Sequence, residues 1–431
     1  MNNEEVISHR KKDDHKKTKS GRLIGIFVLL LILIMAVTAV ASNLTGVSVS
    51  KLGKTGPTGN LIYDSLPDSI KDIEAYSSGT VLLTDTSVDY LDSSGRMLAS
   101  NAHLYAQPVL KINKSNILLY DRGGASFRIE SNSSIYNTFT VNGAISVATI
   151  GAKNNYAYVL NGEGGFQSHL YVYSFRGQKQ FEWGSASDYC LTMDLSDNGK
   201  SIAIATIGVE SAEFFSRVTL FNFRQDSAVY SVDFPDCTVI ALDFINNKKI
   251  AAFTDNGIFV INSDGTYNKV CEYSPVEIQH SYSDSSLNAA VIANHGNTKD
   301  SDIVVFNKKY EELFRINSDT EISAVRSTDN YLAVISGGLI NIYDADNKNT
   351  GKISIGEKCL DVAFAGRTVY VRTVSGIYSF DVYDNIDLSQ IKDVEQTSEE
   401  MITEEKTSDE ITTASENMNT AESTTAVQNF G

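Results

Sequence analysis

The sequence predicts an all-β fold: a β-propeller of eight four-stranded blades over residues 57–383, preceded by one transmembrane helix. First, a unit of short apolar segments and polar turns recurs eight times at a spacing of roughly 40 residues, as in propeller blades. Second, strand-forming Val, Ile, Tyr, Phe and Thr are frequent and only five prolines occur. Third, a stretch of 19 residues near the start carries no charge. Seven blades is the alternative to eight.

The uncharged stretch, residues 23–41, is predicted to span a membrane as a helix. At about 1.5 Å per residue it would be roughly 28 Å long, close to the hydrocarbon thickness of a bilayer. The basic segment before it, residues 1–22, has seven Lys and Arg against four acids, which predicts a cytoplasmic N-terminus with the propeller and the tail outside. The small residues ending at Ala41 also fit a signal-peptide cleavage site, so cleavage there is the alternative. Residues 42–56 are predicted to be a linker.

The eight units share one order of turns and strands. In TDNGIFVINSDGT, residues 254–266, DNG connects the second strand to the third and SDG connects the third to the fourth. Gly257 and Gly265 permit the positive φ that such turns require. The last unit ends near Tyr383 without a clear fourth strand. The segment GNLIYDSL, residues 59–66, is expected to supply that strand and to close the ring.

Residues 384–431 are predicted to be an acidic disordered tail. They contain twelve acids against Lys392 and Lys406, and too little apolar surface to offset chain entropy. The whole chain has a formal net charge of -17. This charge argues against nucleic acid and against an anionic membrane surface as partners.

The eight repeated units of residues 57–383 resemble those of WD-repeat-like and quinoprotein-like propellers. The whole layout is similar to that of uncharacterised single-pass, membrane-anchored propeller proteins of Gram-positive bacteria. The resemblance implies the propeller fold and the anchor, although WD dipeptides and Gly-His pairs are absent from the sequence. Quinoprotein dehydrogenases place tryptophans in every blade and use a metal-bound cofactor, whereas Trp183 is the one tryptophan here. No cofactor is therefore predicted.

Residue types with catalytic or metal-binding chemistry do not form a motif in the sequence. The four cysteines lack the spacing of zinc ligands and are predicted to be buried free thiols. The histidines are scattered, and HExxH, GxSxG and P-loop motifs are absent. Asp194 and Asp243 recur near the end of the first strand of two units and are predicted to cap turns. We therefore predict no metal site and no catalytic residue.

Three units carry insertions between their second and third strands, at residues 161–169, 208–216 and 293–302. In a propeller these connections emerge on one face, and insertions gathered on one face often mark a binding site. We expect loops that bind a partner; the alternative is that they cover their own blades. The candidate contact residues are Phe166, His169, Glu210, Glu213, Phe214, Phe215, His295 and Asp300.

Together these observations predict a non-catalytic propeller, tethered to the membrane and outside the cytoplasm. It would bind a protein, peptide or glycan at the cell envelope as a scaffold or sensor. The alternative function is an enzyme that acts on a carbohydrate or peptide. Such an enzyme needs carboxylates or histidines that converge at the mouth of the central channel, so a cluster of three or more there would favour it.

Overall fold

In the computed structural model, the chain divides between Thr55 and Gly56 into two units. The structure describes residues 59–64, 70–274, 278–282, 287–294, 297–328 and 330–387, all in the second unit. The predicted span 23–41, the linker 42–56 and nearly all of the tail lie outside the described residues. Within the described part of the chain, no helix is long and apolar enough to cross a membrane.

The described residues form eight separate sheets, and the expectation of eight blades is confirmed. The alternative of seven blades is wrong. Seven sheets have four strands each and one has five. The strands of a blade are consecutive in sequence and antiparallel, except at the two ends of the propeller.

The first strand of the chain, β1 (Asn60–Asp64), belongs to blade eight. Blades one and two comprise β2 (Ile70–Tyr76), β3 (Gly79–Thr84), β4 (Ser87–Leu91), β5 (Met97–Ala102), β6 (Pro108–Asn113), β7 (Asn116–Asp121), β8 (Ser126–Ser131) and β9 (Ser134–Thr140). Blades three and four comprise β10 (Ala144–Ile150), β11 (Asn155–Asn161), β12 (Ser168–Ser174), β13 (Lys179–Ser185), β14 (Tyr189–Leu195), β15 (Ser201–Glu210), β16 (Glu213–Asn222) and β17 (Ala228–Pro235).

Blades five and six comprise β18 (Val239–Phe244), β19 (Ile250–Thr254), β20 (Gly257–Ile261), β21 (Tyr267–Glu272), β22 (Ile278–Tyr282), β23 (Leu287–Asn294), β24 (Asn297–Asn307) and β25 (Glu312–Ser318). Blades seven and eight comprise β26 (Ala324–Ser327), β27 (Tyr331–Ser336), β28 (Leu339–Asp344), β29 (Asn349–Ser354), β30 (Cys359–Ala365), β31 (Thr368–Thr373), β32 (Gly376–Asp381) and β33 (Asn385–Asp387). A 3-10 helix, Glu163–Gly165, lies between β11 and β12.

The hydrophobic core lies between neighbouring blades. Second strands are covered on both faces along most of their length, so they are mostly apolar, and all six residues of β3 are buried. Outer strands have one face in solvent, so β17 alternates between buried and exposed residues. Between blades four and five, for example, Leu220 and Phe234 join Phe244 and Phe259 in one buried cluster. Such contacts around the ring fix the position of each blade.

The two ends of the propeller are joined through blade eight. Strand β1 pairs antiparallel with β32, with Leu61 opposite Tyr378, and is the outer strand of that blade. The expectation that residues 59–66 supply the missing strand is therefore confirmed. At the other end, β33 pairs parallel with β29 and makes blade seven five-stranded. It begins just beyond the predicted end of the propeller at residue 383, where the sequence is too short and polar to indicate a strand.

The antiparallel order of strands gives the ring two faces. The turns between second and third strands and the connections from blade to blade lie on one face, named here the hairpin face. The turns between first and second and between third and fourth strands lie on the other, named the opposite face. This division decides which turn residues can act together.

Asp194 and Asp243 link blades, and the prediction that they cap turns is wrong. Asp194 Oδ2 accepts a hydrogen bond of 3.1 Å from the amide of Phe244 in the next blade. Asp243 Oδ2 accepts one of 2.6 Å from the hydroxyl of Tyr310 in blade six, and burial raises the pKa of Asp243. Each carboxylate therefore accepts a hydrogen bond from the next blade, Asp194 from an inner strand and Asp243 from the turn between β24 and β25.

All four cysteines are buried and free, as the sequence predicts. Burial raises the pKa of the thiols to about 12 for Cys190 and Cys359 and to about 11 for Cys237 and Cys271. They remain protonated at neutral pH and act as small apolar side chains.

Candidate functional site

In blades four and six the inserted residues lengthen the second and third strands. The expectation of loops is therefore wrong for these two blades. Strands β15 and β16 have ten residues each, and β24 has eleven. In blade four the ladder continues to the pair Glu210 and Glu213, and the turn consists of Ser211 and Ala212 at φ 53° and 69°. A continuing ladder satisfies the backbone hydrogen bonds that a loop would leave to water. The result is a two-stranded projection on the hairpin face.

The tip of the blade-four hairpin exposes apolar side chains. Val209 and Phe214 are directly opposite each other on the two strands and are 72% and 46% exposed. Ala205 and Val218, on the same side of the sheet nearer its centre, pack in the core shared with blade five. The pair of Val209 and Phe214 therefore continues this apolar side beyond the protein's own core into solvent.

Two further exposed apolar residues lie at the start of the inner strands of blades four and five. Tyr189 is 49% exposed and opposite Ile207 in the ladder, on the same side as Val209. Ile240 is 47% exposed, and its neighbour Val239 donates its amide to Ser216 Oγ at 3.1 Å. We name Tyr189, Val209, Phe214 and Ile240 the hairpin patch. The sequence prediction included Phe214 but missed the other three.

The other side of the blade-four hairpin is occupied within the blade. The guanidinium of Arg217 lies 4.8 Å from the centre of the Phe215 ring. Arg217 also pairs with Asp233 through two hydrogen bonds of 2.5 and 3.0 Å, which raise its pKa. Phe215, predicted as a partner contact, is only half-buried but packs on its own strand. Glu210 and Glu213, also predicted, are exposed at the tip of the hairpin, on the same side as Phe215 and Arg217.

In blade three, the inserted segment covers its own blade. The Phe166 ring lies 4.8 Å from the His169 ring and over Gly184, where an added Cβ would come within 2.6 Å of Phe166 Cδ1. His169 is 8% exposed and contacts Glu163 at 3.1 Å and Glu182 at 2.8 Å. Lys179, through a hydrogen bond, and His169 lower the pKa of Glu182. We therefore leave Phe166 and His169 out of the hairpin patch.

In blade six, Asp300 is exposed on the extended strand β24. Its carboxylate accepts a hydrogen bond of 2.9 Å from Asn294 Nδ2 within the same hairpin. His295, the remaining predicted contact residue, lies outside the described residues. Asp300 lies on the hairpin face two blades away from the blade-four hairpin, and it is not part of the hairpin patch.

The inner strands of blades seven, eight and one and the second strand of blade eight bring together two carboxylates, Asp72 and Asp361, and two arginines. Arg326 donates to Asp361 at 2.9 Å, and Arg372 donates to the carbonyl of Ile70 at 2.8 Å. Burial, the largest effect, raises the pKa of Asp361 and of Asp72, and the two arginines oppose it. Within the described ranges, no group of three or more His, Cys, Asp or Glu could hold a metal ion. The arginines balance the carboxylates, and this cluster joins three blades.

The comparisons with known proteins concern the propeller. The model of a family of unknown function (DUF5711) matches residues 63–379. A search of curated proteins finds no match. Among solved structures, a eukaryotic initiation factor is similar over 75% of this chain and 88% of its own, with 11% identity and a TM-score of 0.52. The C-terminal WD40 domain of Sif2 is similar over 75% of this chain and 97% of its own, with 11% identity and a TM-score of 0.51.

BamB from Moraxella catarrhalis also matches, over 75% of this chain and 96% of its own, with 12% identity and a TM-score of 0.46. At identities this low, the two likenesses with scores above 0.5 establish the propeller fold alone.

Proposed function

We propose that this chain, which belongs to the family of unknown function DUF5711, is a non-catalytic scaffold that binds a protein partner through its hairpin face. The observation that carries the proposal is the exposed pair Val209 and Phe214 at the end of a hairpin longer than those of most other blades. The pair continues the apolar side of the blade-four sheet beyond the buried core and into solvent. Exposed apolar groups gathered at one place often mark a contact surface.

The chemistry of the hairpin patch favours a protein or peptide as partner. Phe214 and Tyr189 are aromatic side chains of the kind that act as anchors when a partner buries them, often at about 2 kcal/mol each. Glu210 and Glu213 lie at the tip of the same hairpin, next in sequence to Val209 and Phe214, so a partner that places Lys or Arg there would gain charge complementarity. The partner surface is therefore expected to have an apolar centre and a basic edge.

The proposal includes a tether. Residues 23–41 would hold the propeller at the membrane, with residues 1–22 in the cytoplasm and the propeller outside, at the cell envelope. The support is the uncharged length of the stretch and the basic residues before it. Protease added to intact spheroplasts should cleave the propeller and spare residues 1–22; a protected propeller would contradict this orientation.

Co-purification tests the binding function. The full-length protein is isolated from membranes with its partners, as the unchanged chain and as the double variant Val209→Ser, Phe214→Ser. The variant should fold normally and lose a protein that the unchanged chain retains. The matched control is Leu98→Ser, an exposed apolar residue on β5, which should retain the partner. If the double variant retains every partner undiminished, the hairpin patch is not the binding surface.

A further inference from the structure

The opposite face carries a concentration of basic side chains that the hairpin face lacks. They lie on the turns of five consecutive blades, two to six, and we name them the basic arc: Lys114, Lys153, Arg176, Lys200, Arg224, Lys248, Lys249, Lys308 and Lys309. The described parts of the same turns hold four carboxylates: Asp197, Asp226, Asp264 and Glu311. The arc therefore has a positive balance on a chain whose net charge is -17.

Most described arginines outside the basic arc are ion-paired with a carboxylate, whereas Arg176 and Arg224 in the arc are not. Arg217, Arg315 and Arg367, for example, each pair with a carboxylate within 3 Å. Among the described residues, no member of the arc has a carboxylate within 4.0 Å, the limit for an ion pair. Their charges are therefore available to an anionic ligand.

A cavity of about 400 Å³ opens within the arc, between blades two and three. Lys153 and Arg176 line it, and both are exposed. Tyr136, which is 55% exposed, and Phe175 form its aromatic part, with ring centres 5.7 Å apart. Three side-chain amides and two serines form the rest of the wall: Asn116, Asn154, Gln178, Ser131 and Ser174. Asn116 Nδ2 donates to Asn154 Oδ1 at 3.0 Å, which orients both amides.

We propose that the basic arc binds an anionic carbohydrate polymer and that this cavity holds one of its sugar rings. The exposed Tyr136 ring offers an apolar face for the C–H side of a sugar. Amides donate and accept at once, which suits neighbouring hydroxyl groups. Lys153 and Arg176 would contact acidic groups on the sugar, and the remaining arc cations would contact successive units along the polymer. The cavity has the size of a small-ligand site.

The test measures binding of the full-length protein to polygalacturonate by titration calorimetry, with neutral dextran, polyglutamate and single-stranded DNA as comparison polymers. Polygalacturonate should bind more tightly than polyglutamate of equal charge, dextran should not bind measurably, and added salt should weaken the binding. Equal binding of polyglutamate, or tighter binding of single-stranded DNA, would overturn the assignment to carbohydrate.

Variants locate the site. Lys153→Glu, Arg176→Glu should weaken polygalacturonate binding by about tenfold or more, because two attractive contacts become repulsive. Tyr136→Ala should weaken it several-fold and leave polyglutamate binding unchanged. The matched control is Lys348→Glu, an exposed cation on the same face but in blade seven, beside Asp344 and Asp346.

A second double charge-reversal variant, in another blade, controls for misfolding of the first. Lys200→Glu, Arg224→Glu lies in blade four and should also weaken binding, with an unchanged melting temperature. If both double variants melt normally and bind as tightly as the Lys348→Glu control, the basic arc is not the binding surface.

Discussion

A buried ion pair shows how single residues join neighbouring blades. Arg128 and Glu130 in blade two are almost completely buried, and Arg128 Nε donates to Glu130 Oε1 at 2.6 Å. The hydroxyl of Tyr90, in blade one, donates to Glu130 Oε2 at 2.7 Å, and Asn101 Nδ2 donates to the same oxygen at 2.6 Å. Each carboxylate oxygen has a partner, so the buried charge is compensated on both sides.

Replacement of one member should therefore be costly. Glu130→Gln keeps the shape but leaves the guanidinium of Arg128 buried without a counter-charge. We expect a loss of about 3 kcal/mol in the free energy of unfolding, measured by urea denaturation. Asp233→Asn removes the half-exposed partner of Arg217 and should cost less than about 1 kcal/mol. Equal losses for the two variants would contradict the role given to burial.

At the scale of elements, the turns and apolar segments were sufficient to predict eight blades and the closing strand. The hairpin lengths were not predicted, because GVESAEFFS mixes apolar and acidic residues and resembles a loop. The available signal was the alternation that continues from Ile207 to Val209, with Glu210 on the other side. The contacts of His169 come from Glu182 on the next strand and from the 3-10 helix, which sequence spacing does not reveal. Whether a basic residue has an ion pair likewise depends on which turns lie close together in the fold, and the sequence spacing does not show this.

Two phenylalanines of the inserted segments should respond differently to truncation. Phe166→Ala uncovers Gly184 and the His169 ring, so we expect a loss of about 1 to 2 kcal/mol in the free energy of unfolding. Phe214→Ala removes an exposed ring and should change it by less than about 0.5 kcal/mol. Thermal and urea unfolding of both variants measure the difference. A larger loss for Phe214→Ala would mean that the hairpin patch supports the fold.

At the scale of the whole molecule, the ring depends on the pairing of its two ends. Strand β1 covers the edge of β32, and Ile62 and Tyr63 pack against the core between blades eight and one. Without β1, blade eight would have three strands and an open edge. Because blade eight closes the ring, its weakening would also disturb the arrangement of turns on the hairpin face and on the opposite face.

Removal of β1 should weaken the whole propeller. A chain that begins at Ser69 is compared with one that begins at Asn43 by thermal unfolding and light scattering. The shorter chain should melt at a clearly lower temperature or aggregate, because an unpaired strand edge binds other edges. Equal melting temperatures without aggregation would mean that blade eight is stable with three strands.

The central claim is that the hairpin patch contacts a protein partner at the cell envelope. Its most direct test is a photo-crosslinking amino acid placed at position 214 of the full-length chain in native membranes, with the same group at position 98 as the control. We expect a protein adduct from position 214 and none from position 98. The absence of an adduct at position 214, or the same adduct from both positions, would contradict the claim.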